Sequence, residues 1–359
     1  MEIDSAVRRA VIAMVLAAHV AVLPVASAAT VQGLYSVTVP RDPAASDRRA
    51  AAEQAAMASL LIRVTGSRTA ALDPAVRPLL AAPREYVTSY GELQGGSHRV
   101  EFRRAPIESA LKALGLRVWG PERPLTLLWV AVDDGVGGRA LLGANETTEL
   151  RGAATPAVTA MLKAVREQIT AAAEERGLPI ALPLLDLEDL NTVQITDVLG
   201  GFEDRILAAS ARYRADAVLI GHVRPGVFGN EVDWLLVNGV ERSRLPLGAV
   251  RDGLDAAADR YAEELGTVGG ASLTSLTVYN VRSSADYGRV MSYLEQQSVL
   301  ERIDVESFGN GALTLSVAAR GDALLLGRVL ALGGVLRPAG GVGLSGPLAF
   351  EVVGNGSVP

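Results

Sequence analysis

The stretch LTLLWVAVDD, residues 125–134, decides the fold that the sequence predicts. It is an apolar run that ends in two aspartates, and such runs are typical of strands buried on both faces of a sheet. Two more runs of this kind follow, LPIALPLLD (178–186) and ADAVLIGHV (215–223). The segments between them, 155–177 and 195–214, have the composition and the end signals of helices. Because strands alternate with helices, the sequence predicts a parallel sheet with right-handed crossovers.

The rest of the chain divides into blocks around this sheet, which predicts a fold of the α/β and α+β classes with three small units. The linker WGPERPLT, residues 119–126, contains two prolines and one glycine, which suits a domain boundary. We expect an N-terminal α+β module at 29–120 and a central α/β domain at 121–270, whose parallel-core sheet is extended by antiparallel strands. Residues 271–359 read strand, helix, strand, strand, helix, which resembles a ferredoxin-like module, and they end in a glycine-rich tail.

The N-terminal module carries clear signals for a helix and a hairpin. Ser46 can cap an alanine-rich helix that ends at Gly66. Residues 86–93 and 98–104 alternate like strands and flank QGGS, a sequence typical of a hairpin turn. We expect His98 to lie on the surface of this hairpin.

The composition of the chain excludes several classes of function. Of the 359 residues, 49% are apolar and 21% are charged, so the chain is globular rather than disordered. The net charge is −6 and no basic stripe is present, so we expect no nucleic-acid partner. The absence of cysteine excludes disulfides, thiol nucleophiles and zinc–thiolate sites. We expect no cofactor, because the GVGG at 135–138 is typical of a turn and no helix opens directly after it.

The first residues predict export from the cytoplasm. Arg8 and Arg9 precede a short apolar run, and Ala26-Ser27-Ala28 then has the small-residue spacing of a signal peptidase site. We therefore expect a signal peptide at 1–28, cleaved after Ala28, and a periplasmic mature protein. No later stretch is long and apolar enough to span a bilayer, so we expect no transmembrane segment in the mature chain.

Three carboxylates follow the second apolar run, at Asp186, Glu188 and Asp189. Ligands of open α/β sheets bind beyond the carboxyl ends of the parallel strands, so this group could bind a divalent cation or supply an acid and a base. The alternative is that Asp186 caps the next turn and Glu188 faces water, while Asp189 faces water, assists the turn or caps the short helix near Ile195. Capping is the favoured interpretation, so we assign no catalytic or metal residue and keep the three as ligand-binding candidates.

His222 is the fourth ligand-binding candidate, since it follows the third apolar run. It could act as a base at the same sheet edge, but a histidine there more often ends a strand and hydrogen-bonds the backbone. The chain has no G-x-S-x-G elbow that would supply a serine nucleophile for it.

Four segments, taken in order, resemble a known bacterial family. They are RRAAAEQAAMASLLIRVTGSR (48–68), WGPERP (119–124), LPLLDLEDL (182–190) and ASARYRADAVLIGHV (209–223). The chain is similar to the exported family catalogued as domain of unknown function, number two thousand and sixty-six. That resemblance implies an exported protein of Gram-negative bacteria and transfers no catalytic residues.

The helix that leads into ADAVLIG also resembles the α/β modules of envelope assembly proteins, such as the N-terminal domain of the Tol-system propeller protein. Those modules bind other proteins. We therefore expect a non-enzymatic periplasmic interaction or assembly module of the Gram-negative cell envelope, with an envelope protein as its partner. The rival hypothesis is a metal-dependent hydrolase that uses Asp186, Glu188 and Asp189.

Overall fold

The structure, a computed structural model, describes residues 29–145, 155–227, 229–339 and 348–353. The predicted signal peptide at 1–28 lies outside the described residues. The fold is mixed α/β, with main sheets of three, six and five strands, one in each of the predicted blocks.

The N-terminal unit is an antiparallel sheet of order β2-β4-β3 with a long helix on one face. Its elements are β1 (Ala29–Thr30), β2 (Ser36–Val39), α1 (Arg48–Thr65), α2 (Arg77–Ala81), β3 (Val87–Glu92), β4 (His98–Phe102) and α3 (Arg104–Ala113). Asp47, rather than the predicted Ser46, caps α1, because its carboxylate accepts the Ala50 N–H at 3.0 Å. Gly66, with a φ of 72°, ends the helix as predicted.

The β3–β4 hairpin forms as predicted, but the surface prediction for His98 is wrong. His98 is 1% exposed, because His98, Val100 and Phe102 alternate onto the face of β4 that packs against the helix. The hydroxyl of Tyr90 lies 2.9 Å from its Nδ1. The histidine therefore belongs to the core of the N-terminal unit.

The central unit is a six-stranded sheet, and its parallel core is the one that the apolar runs predict. Its elements are β5 (Glu122–Arg123), β6 (Thr126–Asp133), β7 (Arg139–Leu141), α4 (Pro156–Arg176), β8 (Ile180–Ala181), α5 (Leu187–Thr192), α6 (Ile195–Gly200), α7 (Glu203–Ser210), β9 (Ala217–Gly226), β10 (Gly229–Asn238), β11 (Glu241–Arg244) and α8 (Val250–Leu265). The order is β11-β10-β9-β6-β7, and β8 also pairs with β6, whereas β5 lies outside this sheet and pairs with β1. Both β8 and β9 run parallel to β6, while β7, β10 and β11 pair antiparallel.

The second predicted strand is much shorter than expected. Residues 178–186 were predicted as one strand, yet only Ile180 and Ala181 pair with β6. Pro179 and Pro183 flank the pair, and a proline has no N–H to extend a ladder. The chain therefore leaves the sheet before it reaches Asp186, Glu188 and Asp189.

The central sheet separates two cores. One core lies between β6 and the helices α4 and α8 and contains Leu128, Val130 and Val132. The other lies between β6 and the short helices α5, α6 and α7 and contains Leu127 and Trp129. This alternation along one strand explains why β6 reads as a continuous apolar run.

The third unit is a five-stranded sheet of order β13-β14-β12-β16-β15. Its elements are β12 (Ala271–Tyr279), α9 (Ser284–Glu295), β13 (Leu300–Gly309), β14 (Ala312–Arg320), α10 (Ala323–Leu332), β15 (Leu336–Pro338) and β16 (Leu348–Val352). The pairing of β12 with β16 is parallel and the other pairings are antiparallel. Its core is continuous with that of the central unit, because residues of α8 and α10 belong to the same buried cluster.

Two buried arginines join the N-terminal unit to the central unit. Arg123 and Arg176 are each 0% exposed. Arg123 donates to the main-chain oxygens of Arg63, Trp119, Gly120, Arg176 and Gly177. Arg176 donates to the main-chain oxygen of Gly66 at 2.7 Å and to Asp255 and Asp259 of α8. These bonds tie the C-terminal ends of α1 and α4 together, so the predicted linker is a buried joint.

Candidate functional site

The acidic turn, residues 184–190, forms where the chain leaves the central sheet and enters α5. Leu185 has a φ of 52°, a left-handed conformation that a leucine rarely adopts. Its N–H donates to Oδ2 of Asp189 at 2.9 Å, which holds this conformation. The turn is thus fixed by one of the carboxylates that the sequence analysis selected.

Asp186 caps α5, as predicted. Its Oδ1 accepts the N–H of Asp189 at 3.1 Å. Its two oxygens also accept hydrogen bonds from the two terminal nitrogens of Arg212, at 2.7 and 2.8 Å. The Arg212 guanidinium, followed by the N–H of Asp189, lowers the pKa of Asp186 to about 2.

Of the roles predicted for Asp189, facing water is wrong and assisting the turn is confirmed. Asp189 is 1% exposed, and it accepts from the N–H of Leu185, from Arg212 and from the hydroxyl of Tyr213. Burial, and then the hydrogen bond to Asp189, raises the pKa of Tyr213. Asp189 is therefore the buried centre of the turn, because the charge of Arg212 and two hydrogen-bond donors compensate for its lost hydration.

Glu188 points outward, as predicted, with 71% of its side chain exposed, and its carboxylate lies 3.5 Å from Arg212. One guanidinium thus serves all three carboxylates. This arrangement can hold the turn against the end of α7, and it leaves the buried carboxylate no open side.

Arg212 and Tyr213 are the residues that the sequence analysis missed. They lie in a 3-10 turn after α7, 23 to 26 residues from the carboxylates in the chain. The segment ASARYR was read only as a helix, and no short-range pattern marks its partners.

His222 lies elsewhere on the central sheet. It is half-buried in β9, where its register neighbours are Ala131 and Asp233, and its Nε2 has no hydrogen-bond partner in the described part of the chain. Burial lowers its pKa, and the charges that act on it are those of Asp133, Arg224, Asp233 and Arg139. The three carboxylates of the acidic turn lie 2.7 to 3.5 Å from the guanidinium of Arg212, and the Nε2 of His222 bonds none of them.

Within the residues that the structure describes, no three acidic or histidine side chains are grouped so as to hold a metal ion. None of the helices in those residues is long and apolar enough to cross a bilayer.

A second surface is formed by the free edge of β3 in the N-terminal unit. This strand reads VTSYGE and is uncharged up to Glu92. It pairs with β4 on one side only. The exposed side chains next to it include Arg99 of β4, which has no acidic partner among the described residues.

Comparison with known proteins places one family on part of this chain. A family described as Domain of unknown function (DUF8605) matches residues 28–120, the unit that contains β3. This finding corrects the resemblance to the family numbered two thousand and sixty-six, because the matching family is a different one. The four segments that carried that resemblance are short, and the structure accounts for them locally: an alanine-rich helix, a buried joint, the acidic turn and the strand β9. No curated protein and no solved structure matches the chain.

Proposed function

We propose that the chain is a non-enzymatic interaction or assembly module of the Gram-negative cell envelope, that it acts in the periplasm, and that an envelope protein is its partner. The observation that carries the proposal is the open edge of β3, which has no charged residue before Glu92. Exposed strand edges are templates for pairing with another chain, and stable proteins normally blunt them.

The other sheet edges of the described residues are blunted. β2 and β11 have four residues each, β7 and β15 have three, and β1, β5 and β8 have two. β13 is long, but it carries Glu301, Arg302, Asp304 and Glu306 and two register shifts. Charges, short strands and bulges all discourage pairing. β3 has one register shift, at its start, and no charge before its last residue, which makes it the edge best suited to a partner.

The acidic turn gives less support to an enzyme. A hydrolytic site needs carboxylates that are free to bind a cation or to exchange protons with a substrate. Here Asp189 is enclosed and Asp186 is bound at both oxygens. These bonds favour a structural role for the turn.

The third unit is proposed to be a variant of the ferredoxin-like fold. Its order of strands and helices from β12 to α10 supports this, as does the placement of β14 between β12 and β13. The parallel pairing of β16 with β12 is the feature that distinguishes it.

Site-specific photocrosslinking in intact Gram-negative cells tests the proposal. A photoreactive residue replaces Ser89 on β3, and a second variant carries it at Asp304 on β13 as the matched control. We expect a discrete crosslinked product in the periplasmic or envelope fraction from Ser89 and none from Asp304. Retention of the protein in the cytoplasm, or no product from either position, would overturn the proposal. A rise in Tm on adding Mg²⁺ or Ca²⁺ that disappears in Asp186→Ala would favour the metal-dependent hydrolase instead.

A further inference from the structure

The main-chain groups at the open edge of β3 can be assigned from the hairpin geometry. The N–H of Leu93 donates to the main-chain oxygen of Ser97 at 2.8 Å. In an antiparallel ladder the hydrogen-bonded pairs recur at every second residue. The pairs Gly91 with Arg99 and Ser89 with Glu101 are therefore the bonded ones. It follows that the N–H and C=O groups of Tyr90 and Glu92 point away from β4, towards the open edge.

The outer face of this sheet is open above β3. An added Cβ on Gly91 would meet no atom within 4 Å. Arg99 stands beside it on the same face, because the two residues are direct register partners and Arg99 is exposed. A strand added to β3 would lie two strand spacings from β4, roughly 10 Å. Arg99 can extend across the gap that Gly91 leaves and meet an acidic side chain on the added strand.

The charge of the surrounding unit favours the same partner. Residues 28–120 contain twelve arginines and lysines and eight aspartates and glutamates, a net charge of +4 in a chain whose total is −6. Arg41, Arg48, Arg77, Arg99 and Arg117 are exposed and have no acidic partner among the described residues. A positive surface raises the association rate of a negatively charged segment.

Glu101 limits where the partner's acidic residue can lie. It is exposed on the outer face and accepts a hydrogen bond from Ser89 at 2.8 Å. An acidic residue opposite Ser89 would face this carboxylate, whereas one opposite Gly91 would face Arg99. The edge of β3 therefore selects both the sign and the position of a charged residue on the added strand.

We propose that β3 binds an extended, acidic segment of a partner protein by strand addition, with a carboxylate opposite Gly91 held by Arg99. Main-chain hydrogen bonds to Tyr90 and Glu92 supply affinity, and the contact with Arg99 supplies selectivity. This inference rests on the proposed function, because it names the kind of partner that the interaction module takes.

The first test removes one outward main-chain donor. Proline has no N–H and is tolerated at a strand edge when that N–H faces solvent. Glu92→Pro therefore removes a bond to the partner while keeping the β3–β4 ladder, and Gly91 before it has no Cβ to clash with the proline ring. Glu92→Ala is the matched control, since it removes the same side chain and keeps the N–H.

The probe is a short capped peptide that alternates valine and threonine around one central glutamate, titrated into the whole mature chain by NMR. We expect the amide protons of Tyr90 and Glu92 to become protected from exchange. Glu92→Pro should weaken binding about tenfold, whereas Glu92→Ala should bind like the wild type. Arg99→Ala, and a peptide with lysine in place of the glutamate, should each bind several-fold more weakly, and added salt should reduce the difference.

Four outcomes would overturn the inference. They are no protection at Tyr90 and Glu92, equal loss in Glu92→Pro and Glu92→Ala, equal binding of the lysine peptide, or a homodimer that Glu92→Pro abolishes, since the occupant would then be a second copy. In the first three cases, a crosslink from Ser89 to another protein in intact cells leaves the interaction module standing, and only the inference about its partner falls. In the fourth case, a crosslink to a second copy alone overturns the proposed envelope partner as well. Without any crosslink, the proposed function itself falls.

Discussion

The guanidinium carbon of Arg123 lies 3.7 Å from the centre of the Trp119 ring, and both side chains are 0% exposed. Trp119 also offers its main-chain oxygen to Arg123 at 3.0 Å. The pair lies in the segment that joins the N-terminal unit to the central sheet. A charged side chain is tolerated there because five main-chain oxygens and an aromatic face replace its hydration.

Arg123→Met should therefore destabilise the whole chain. The substitution keeps much of the side-chain volume but leaves buried carbonyl oxygens without donors, and each such group costs about 1–3 kcal/mol. We expect the free energy of unfolding in urea to fall by about 3–5 kcal/mol. Arg337→Met is the control, because Arg337 is exposed and its ion pair is with Glu351. This substitution should change the free energy of unfolding by no more than about 0.5 kcal/mol. Equal stability of the two variants would contradict the role assigned to Arg123.

The acidic turn predicts different effects for neighbouring carboxylates. Asp186→Ala removes the cap of α5 and both contacts with Arg212, so it should lower the Tm, whereas Glu188→Ala should change it little. The pKa of Asp186 is lowered to about 2 from its ordinary value of 3.8. The stabilisation that its ionised carboxylate gives the fold is therefore present above pH 3.8 and is lost as the pH falls through about 2. Thermal unfolding of the three proteins at neutral and acidic pH checks this. A larger loss in Glu188→Ala would contradict it.

Asp216 predicts a dependence on pH of the opposite sign. Its Oδ2 accepts the N–H of Leu125 at 2.7 Å, and burial raises its pKa to about 6 from 3.8. The native state therefore favours the protonated form of Asp216. The stabilisation of the fold by this group is present below pH 3.8 and is lost as the pH rises through about 6.

Asp216→Asn keeps an acceptor for Leu125 and removes the ionisation. We expect the Tm of the variant, relative to the wild type, to increase between about pH 4 and about pH 7. Scanning calorimetry over this range measures the difference. A Tm difference that stays constant with pH would show that Asp216 does not titrate in this window.

Trp234 makes Gly221 intolerant of a side chain. An ideal Cβ on Gly221 of β9 would lie 2.4 Å from the six-membered ring of Trp234, which is itself 0% exposed. Gly221→Ala should lower the free energy of unfolding by about 1–3 kcal/mol through overpacking.

Gly288→Ala is the control for that substitution. Gly288 lies within α9 and an added Cβ there meets nothing within 4 Å, so the change should be neutral or stabilise by up to about 1 kcal/mol. Denaturant unfolding of both variants decides the matter, and a stable Gly221→Ala protein would exclude the close contact.

Part of the fold could be read from short-range patterns. The apolar run forms the buried strand β6, as the sequence predicts. The helix α4 also begins and ends where its sequence indicates: Thr155 caps it, Pro156 lies in its first turn and Gly177 ends it. The two prolines that shorten β8 and the alternation that buries His98 were also visible in the sequence. Both effects act over only a few residues and are therefore local.

The sequence by itself determined several elements whose causes are local: the buried strands β6 and β9, the Thr155 cap of α4, the hairpin turn and the capping role of Asp186. Only the tertiary structure decided where the charges find their partners. Arg212 reaches Asp186 and Asp189 across 23 to 26 residues, and Arg123 reaches Arg63 across 60. The edge position of β3 depends in the same way on which strands pair. Local propensity acts within a turn or a strand, whereas burial and ion pairing depend on segments that become neighbours only when the chain is folded.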